Sequence, residues 1–398
     1  MQRYDVAVIG GGAAGLACAV SLKKYSANLN VIVVEAGERA GRKLAATGNG
    51  QGNVSNADMS ARHFHGSGAE AARKLCCEGV YDTLSLFGFL FVQDKLGRIY
   101  PAGKQASALS DSLIRKVKNS GVKLLTSVRV TGVKRGFSIT LSDGGEIAAD
   151  RVVLAAGGKA QKQFGTDGGG YAIAKGFGHS ITPLYPSLVQ LKCDTRFIKS
   201  FKGIRTECGV SVSDGSGNLL VKTASDVIFT DYGVSGNAVF YASAYCAGAE
   251  NTVLSLEFLP DIPQEKIVED IERKQKEGYE KTELLSGTLH NQLGRAVIRR
   301  CISERGESCS PRDIAALIKN FTLKTEGSLG FDYAQVTKGG VPFSEVDEAL
   351  QSRLVVDLYF AGEVLDVDGD CGGYNLTWAL ASGMHVAKCI AEKFNDYD

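Results

Sequence analysis

The chain has 398 residues, 44% hydrophobic and 22% charged, with 45 basic and 44 acidic side chains and a formal net charge of +1. That length predicts two or three domains, and the charge balance excludes a basic face given over wholly to nucleic acid while leaving room for a local basic patch. Ten Cys without a C-x-x-C spacing predict reduced, mostly buried thiols and a cytoplasmic protein. No leader is expected, because Tyr4-Asp5-Val6 already opens a strand, and the apolar stretch from Val6 to Val20 is too short and glycine-rich to span a bilayer. Glycine is over-used, at 48 residues, and its clustering predicts tight loops rather than low complexity.

Residues 4–9, YDVAVI, predict a buried strand. Gly10, Gly12 and Gly15 then form G-x-G-x-x-G, a helical run containing Ala14 follows, and NVIVVE (30–35) predicts a second buried strand ending at Glu35 and Ala36. A strand, a helix, a strand and an acid in this register are what a dinucleotide fingerprint requires. Gly10 permits the tight turn, Gly12 lets backbone approach a pyrophosphate, and Gly15 lets the helix pack on the strand. The helix start offers unpaired N–H groups and a positive dipole end to the anion, and Glu35 can accept from ribose hydroxyls.

The stretch GRKLAATGNGQGNVSN (41–56) suits neither helix nor strand. A nicotinamide dinucleotide has no use for a second phosphate-facing loop just after the acid, whereas the longer FAD does. Arg42 and Lys43 can neutralise phosphate, Gly48 and Gly50 allow close approach, and Asn49 and Asn53 can donate to ribityl or flavin oxygens.

Residues 128–150 predict strands joined by the SDGG turn, with Val130 positioned to meet the adenine through its backbone. RVVLAAGG (151–158) predicts a strand that returns the chain beside the cofactor at Ala156 and Gly157. Near the end, LYFAG (358–362) predicts a strand stopping at Gly362, with Glu363 facing ribityl hydroxyls or pyrophosphate. Gly372 and Gly373 precede a helix from Tyr374 through Phe394. The N–H groups of Gly373, Tyr374 and Asn375 would face the N1/O2 edge of the flavin, where reduction places negative charge.

No nucleophile triad and no metal site is expected; His63 and His65 are read as a pair in a solvated polar loop. Cys371 lies before the helix start, but no Cys pair has disulfide-reductase spacing. The glycine-rich GTDGGGY (165–171) follows no clear strand, so a second, nicotinamide-binding unit is not expected. Acid–base candidates are Tyr374 at the helix entrance, then Asp366, His179 and Lys104, with His179 also readable as a helix cap and Asp366 and Asp368 as solvated loop residues.

The segments VIGGGAAGL (8–16), GRKLAATGNG (41–50), TDGGGYAIAKGFGH (166–179), FTDYGVSGNAV (229–239), VTKGG (336–340) and FAGEVLDVDGDCGGYNLTWALASG (360–383) together resemble the BaiN/RdsA-type, aminoacetone-oxidase-like flavoproteins. The resemblance spans essentially the whole chain. It implies an α/β fold: a Rossmann-like FAD-binding domain of two-nucleotide-fold type (1–186 and 346–398), an inserted β-rich substrate domain (187–259 and 321–345) and an inserted helical cap (260–320). Alternating patterns such as LVQLKC and TVLSLEF, and charged helical runs such as DIPQEKIVEDIERKQKEGY, agree with that division. The chain departs from the family pattern in two segments: Gln51-Gly52 replaces Arg-Cys after TGNG, and Asp231 and Asn237 replace His and Pro in the FTHxGLSGPA segment.

The expected function is an FAD-dependent oxidoreductase passing a hydride between a small organic substrate and flavin N5, by amine or C–H oxidation or by reduction of an activated C=C. NAD(P)H or O2 would act as transient redox partner, with neither nucleic acid nor membrane expected as a partner. The alternative is a flavin-binding RNA-modification or scaffold protein. Relatives of that type carry basic patches and C-terminal extensions, whereas this chain ends at NDYD after the helix.

Overall fold

A computed structural model describes residues 1–395; the last three residues of the NDYD ending lie outside the described residues. The chain divides into two compact units, Met1–Tyr185 with Val336–Asp398, and Pro186–Gln335.

The first unit is built on a seven-stranded sheet. Its parallel part runs Lys123–Leu125, Val31–Val34, Gln2–Ile9, Glu146–Leu154 and Leu358–Phe360. Every residue of Val31–Val34 is buried, which is why that strand is an unbroken apolar run rather than an alternating one. The long strand Glu146–Leu154 pairs antiparallel with Ser138–Leu141, which pairs in turn with Val130–Val133. The first helix, Ala13–Tyr25, packs against the closing helix, Tyr374–Asn395. A Cβ at Gly383 would overlap the carbonyl oxygen of Ala14, so the two backbones touch at a point that no other residue can occupy unmoved. The closing helix buries Trp378, Leu380, Met384, Val386 and Ile390, each worth about 1.5–3 kcal/mol if fully removed from water.

The second unit is a closed six-stranded barrel: Leu191–Cys193, Gly233–Ser235, Leu219–Phe229, Arg205–Ser213, Val253–Glu257 and Phe321–Ser328. Helices Gln264–Lys276, Asn291–Arg305 and Pro311–Lys319 follow the fifth of these strands in sequence. The last of them starts at a capping box, with Ser310 and Asp313 bonded reciprocally and Pro311 in the first turn. Ile267, Ile271, Val297, Ile314 and Ile318 share one apolar core with barrel residues Val210, Phe229, Leu254 and Phe321. The segment expected as a separate cap therefore has no core of its own. The chain re-enters the first unit at Val336, earlier than the expected 346, because Val341 and Val346 already pack in the first unit's core.

Candidate active site

Register places the site. Ile9 lies beside Val34 and Leu154, and Leu154 beside Phe360. Four strands thus end level, and Gly10, Glu35, Ala155 and Ala361 leave the same carboxyl edge, where open α/β sheets bind their ligands. The ladder continues one step beyond, with Gly10 N–H on the Val34 carbonyl at 2.9 Å and Ala155 N–H on that of Ile9 at 2.8 Å. Gly10 has φ +109°, and a Cβ there would strike the Ala155 carbonyl and come within 2.8 Å of the Ala156 Cα. Ala156 is therefore brought against the first turn, and Gly157, with φ +73°, follows it against Thr166.

No side chain caps the helix that begins at Ala13. Its first-turn amides, including that of Ala14, are free of intrahelical acceptors. Gly12 is informative, because a Cβ there meets nothing of the chain within 4 Å. Nothing in the protein demands glycine at that point, whereas a close-lying ligand would. Glu35 accepts from the N–H of Gly11 at 2.7 Å through one oxygen and from that of Gly37 at 2.7 Å through the other. Gly11 was not among the sequence-predicted residues; its place inside the run Gly10-Gly11-Gly12 was the available signal. Val128 N–H bonds the Glu35 carbonyl at 3.1 Å, which sets the segment leading to Val130 beside Glu35 and Ala36.

The 41–56 segment forms a short helix, Arg42–Ala46, followed by a turn in which Gly48, Asn49 and Gly50 all have positive φ, at 59°, 53° and 83°. Lys43 Nζ lies 2.9 Å from Glu363 Oε2. The other Glu363 oxygen accepts from Thr337 N–H at 2.8 Å, and Thr337 Oγ1 in turn accepts from Lys159 and Ala160 N–H at 2.7 and 3.0 Å. Thr337 was not among the sequence-predicted site residues; its place in VTKGG (336–340) was the available signal, but its role depends on residues distant along the chain. Arg42 stands apart from this pair and donates to the Gln163 carbonyl at 2.6 Å. Asn53 corrects an expectation. Its amide nitrogen donates to the carbonyls of Ser55 and Ile99 at 3.0 and 3.2 Å, so both its N–H groups serve the chain's own backbone and none remains for a ligand.

At the other end of the site, Gly362 has φ +76°, donates its N–H to Ser382 Oγ at 2.9 Å and accepts from Trp378 Nε1 at 3.2 Å. Gly373 has φ +101° and sits against Ser55, whose carbonyl a Cβ would overlap. Thr377 ties the same place down, donating toward Ser55 Oγ at 2.9 Å. Asn375 folds its side chain back on Gly369, accepting from its N–H at 2.8 Å and donating to its carbonyl at 2.6 Å. The front loop and the start of the closing helix are thus locked together.

Tyr374 is buried, stacks on the His63 ring at 4.4 Å and 16°, and meets Phe64 edge-on at 5.8 Å. Burial pushes its phenol above the ordinary tyrosine value. The reading of His63 and His65 as solvated gives way to a pair of half-buried rings held by the buried Asp370. Phe64–His65 pairs with Asp368–Gly369, and the Asp370 carboxylate bonds His63 Nδ1 at 2.9 Å and His65 Nε2 at 2.8 Å. Burial opposes charge on the His65 ring, but the hydrogen bond and negative charge of Asp370 prevail and raise it. Asp368 is buried with neither oxygen hydrogen-bonded, and desolvation lifts its carboxyl to about 6 against the pull of His65 and Lys338.

The other acid–base candidates do not join this group. Asp366 is buried rather than solvated and accepts from Ser67 N–H at 3.0 Å, holding a turn. His179 is buried with both ring nitrogens occupied, Nδ1 on Glu345 and Nε2 on Ser352, each at 2.7 Å. Lys104 is exposed with φ +46°, its amine 5.9 Å from the Tyr100 ring centroid.

The residues present fit FAD. Amides of the first helix and Lys43 would hold the diphosphate, Glu35 a ribose, and the amides at Tyr374 and Asn375 the electron-accepting edge of the ring. Among the described residues, no group of three or more His, Cys, Asp or Glu is arranged to hold a metal ion, and no helix is long and apolar enough to cross a membrane.

Comparison with known proteins agrees. The HI0933-like protein Rossmann domain model matches residues 4–389. The chain is 35% identical, over 98% of its length and 99% of the relative's, to a 3-dehydro-bile acid delta(4,6)-reductase of Clostridium scindens. It is 27% identical, over 98% of both chains, to a ribosomal RNA dihydrouridine synthase of Escherichia coli. Its fold is similar to that of 3-ketosteroid-delta4-(5alpha)-dehydrogenase from Rhodococcus jostii, with TM-score 0.53, 16% identity and coverage of 98% of this chain and 97% of that one. A flavocytochrome c3 fumarate reductase gives TM-score 0.51 at 16% identity, covering 98% of this chain and 78% of that one. The chain is an FAD-dependent oxidoreductase. It belongs to the HI0933-like Rossmann family, the BaiN/RdsA-type flavoproteins.

Proposed function

We propose that this chain reduces a carbon–carbon double bond conjugated to a carbonyl group in a small, largely apolar substrate. The observation that carries this reading is the 35% identity over 98% of the chain to a delta(4,6)-reductase. FAD, when bound, supplies the two-electron chemistry. The protein's own residues supply the rest. Glu35, Lys43 and the first-helix amides hold the cofactor. The helix start at Tyr374 and Asn375 offers N–H donors to the side of the ring where negative charge gathers. Tyr374, whose phenol is raised by burial, keeps its proton through the neutral range and serves as a hydrogen-bond donor rather than a base. Asp366 and His179 are committed to the fold and take no chemical part. NAD(P)H is the transient electron source in this reading and O2 a competing acceptor.

The test is anaerobic. The dithionite-reduced holoprotein is mixed with a panel of 3-oxo-Δ4 steroids; the oxidised flavin band should return rapidly and the product should carry two more hydrogens. Reoxidation no faster than in buffer, across the whole panel, would sink the reading.

A second reading is favoured by one observation, the 27% and 26% identity to ribosomal RNA dihydrouridine synthases of Escherichia coli and Haemophilus influenzae. Under it the reducible bond lies in a uracil ring, and an unmodified ribosomal RNA fragment would reoxidise the flavin where the steroids do not.

A further inference from the structure

The second unit carries a pocket of about 450 Å³ lined by Arg196, Phe197, Lys199, Ser200 and Arg299. Three of these five side chains are cationic and none is acidic. The clustering is not a consequence of overall charge, since the chain is nearly neutral at +1.

The pocket is organised from beneath. Arg300 is buried, bonds Glu304 at 2.7 Å and the Thr322 carbonyl at 2.6 Å, and its guanidinium lies 4.4 Å from the Phe321 ring centroid and 5.5 Å from that of Phe197. Phe197 is thereby held half-buried on the pocket wall. Arg299, on the helix Asn291–Arg305, donates to Ser200 Oγ at 2.7 Å, which fixes its fork over the Lys199–Phe201 turn. The acids nearby are used elsewhere or weakly: Asp231 pairs with Lys202 at 2.6 Å, and Asp194 is 3.5 Å from Arg196. Among the described residues, Lys199 and Arg299 have no carboxylate within ion-pair distance.

We propose that this pocket binds a phosphate ester carrying a planar base, the phosphate between Lys199, Arg299 and Arg196 and the base against Phe197. Two arginines and a lysine suit a phosphate, whose several oxygens fit the arginine fork and leave acceptors for further donors. The ring offers a stacking surface that any base can use. The same chemistry is presented by a free nucleotide and by a single RNA strand. The inference is independent of the substrate proposed above, because it concerns binding without turnover.

The experiment titrates the full FAD-loaded chain at low salt with AMP, with inorganic pyrophosphate and with a labelled single-stranded RNA decamer. Wild type should bind AMP or the decamer. Lys199→Gln and Arg299→Gln should each weaken binding about tenfold and lower the salt slope of the RNA arm by about one. Phe197→Leu should weaken AMP while leaving pyrophosphate unchanged. A decamer at least about tenfold tighter than AMP identifies a strand as the source, and equal affinities identify a free nucleotide. Arg299→Gln is a surface change and decides the matter should Phe197→Leu fail to fold. Absence of binding by both AMP and decamer, or cation variants that bind like wild type, overturns the proposal.

Discussion

Lys43 and Glu363 are 320 residues apart in sequence, yet Lys43 Nζ and Glu363 Oε2 lie 2.9 Å apart. The pair joins the short helix Arg42–Ala46 to the turn after the last parallel strand. Both side chains are about three-quarters or more removed from water, at 27% and 18% exposure, so the pair is screened less than a surface bridge. Lys43→Met should weaken FAD retention about ten- to a hundredfold, the effect of losing one charge-assisted contact of about 1.5–3 kcal/mol. The ratio of FAD to protein after serial dilution and gel filtration measures it, and retention equal to wild type would remove Lys43 from the cofactor's surroundings.

Gly12 and Gly15 separate binding from folding. A Cβ at Gly12 has open space, whereas one at Gly15 would overlap the Gly10 carbonyl. Gly12→Val should leave the cofactor-free protein's melting temperature within a few degrees of wild type and lower FAD affinity at least about tenfold. Gly15→Val should lower the melting temperature itself. Glu35→Ala should weaken FAD and also loosen the turn, since its carboxylate holds the amides of Gly11 and Gly37.

At Gly373, φ is +101° and the Ser55 carbonyl occupies the space a Cβ needs. Gly373→Ala should cost more than about 2 kcal/mol and lose flavin in parallel, seen as a lower denaturation midpoint and a paler protein. A variant with wild-type stability would show that the front loop and the closing helix are not locked there.

Asp368 gives a pH signature. Its folded carboxyl is raised to about 6 from 3.8, with burial the main cause, Asp366 and Asp370 adding to it and His65 and Lys338 opposing. The folded state therefore holds its proton more tightly than the unfolded chain does. Stability from this group is present below pH 3.8 and is lost as pH rises through about 6. Asp368→Asn, which cannot ionise, should be more stable than wild type at pH 8 by on the order of 3 kcal/mol, with the advantage shrinking toward pH 4. Equal denaturation midpoints at both pH values would contradict this.

The glycine turn and the aligned strand ends of the candidate site were legible because their signal is contiguous. Gly10, Gly12, Gly15 and Glu35 lie within one strand–helix–strand unit, and the strand ends they mark do align in the sheet. The polar candidates were harder to read. Asn53, Asp366 and His179 have the right chemistry for a site, but each is consumed by backbone or buried partners. His63 and His65 read as solvated because Asp370, which both of them bond, is 307 and 305 residues away.

Local order along the chain was enough to determine the dinucleotide unit, the glycine turns and the helix that ends the described residues. Periodicity and steric freedom act between near neighbours, and they leave a mark in any short window of sequence. Only the tertiary structure decided which polar groups remain available to a ligand, that Lys43 would find Glu363, that Asp370 would hold two imidazoles, and that the helices after the barrel's fifth strand would share its core. Each of those outcomes depends on distances across the folded chain, and such distances are set by packing rather than by the spacing of residues along it.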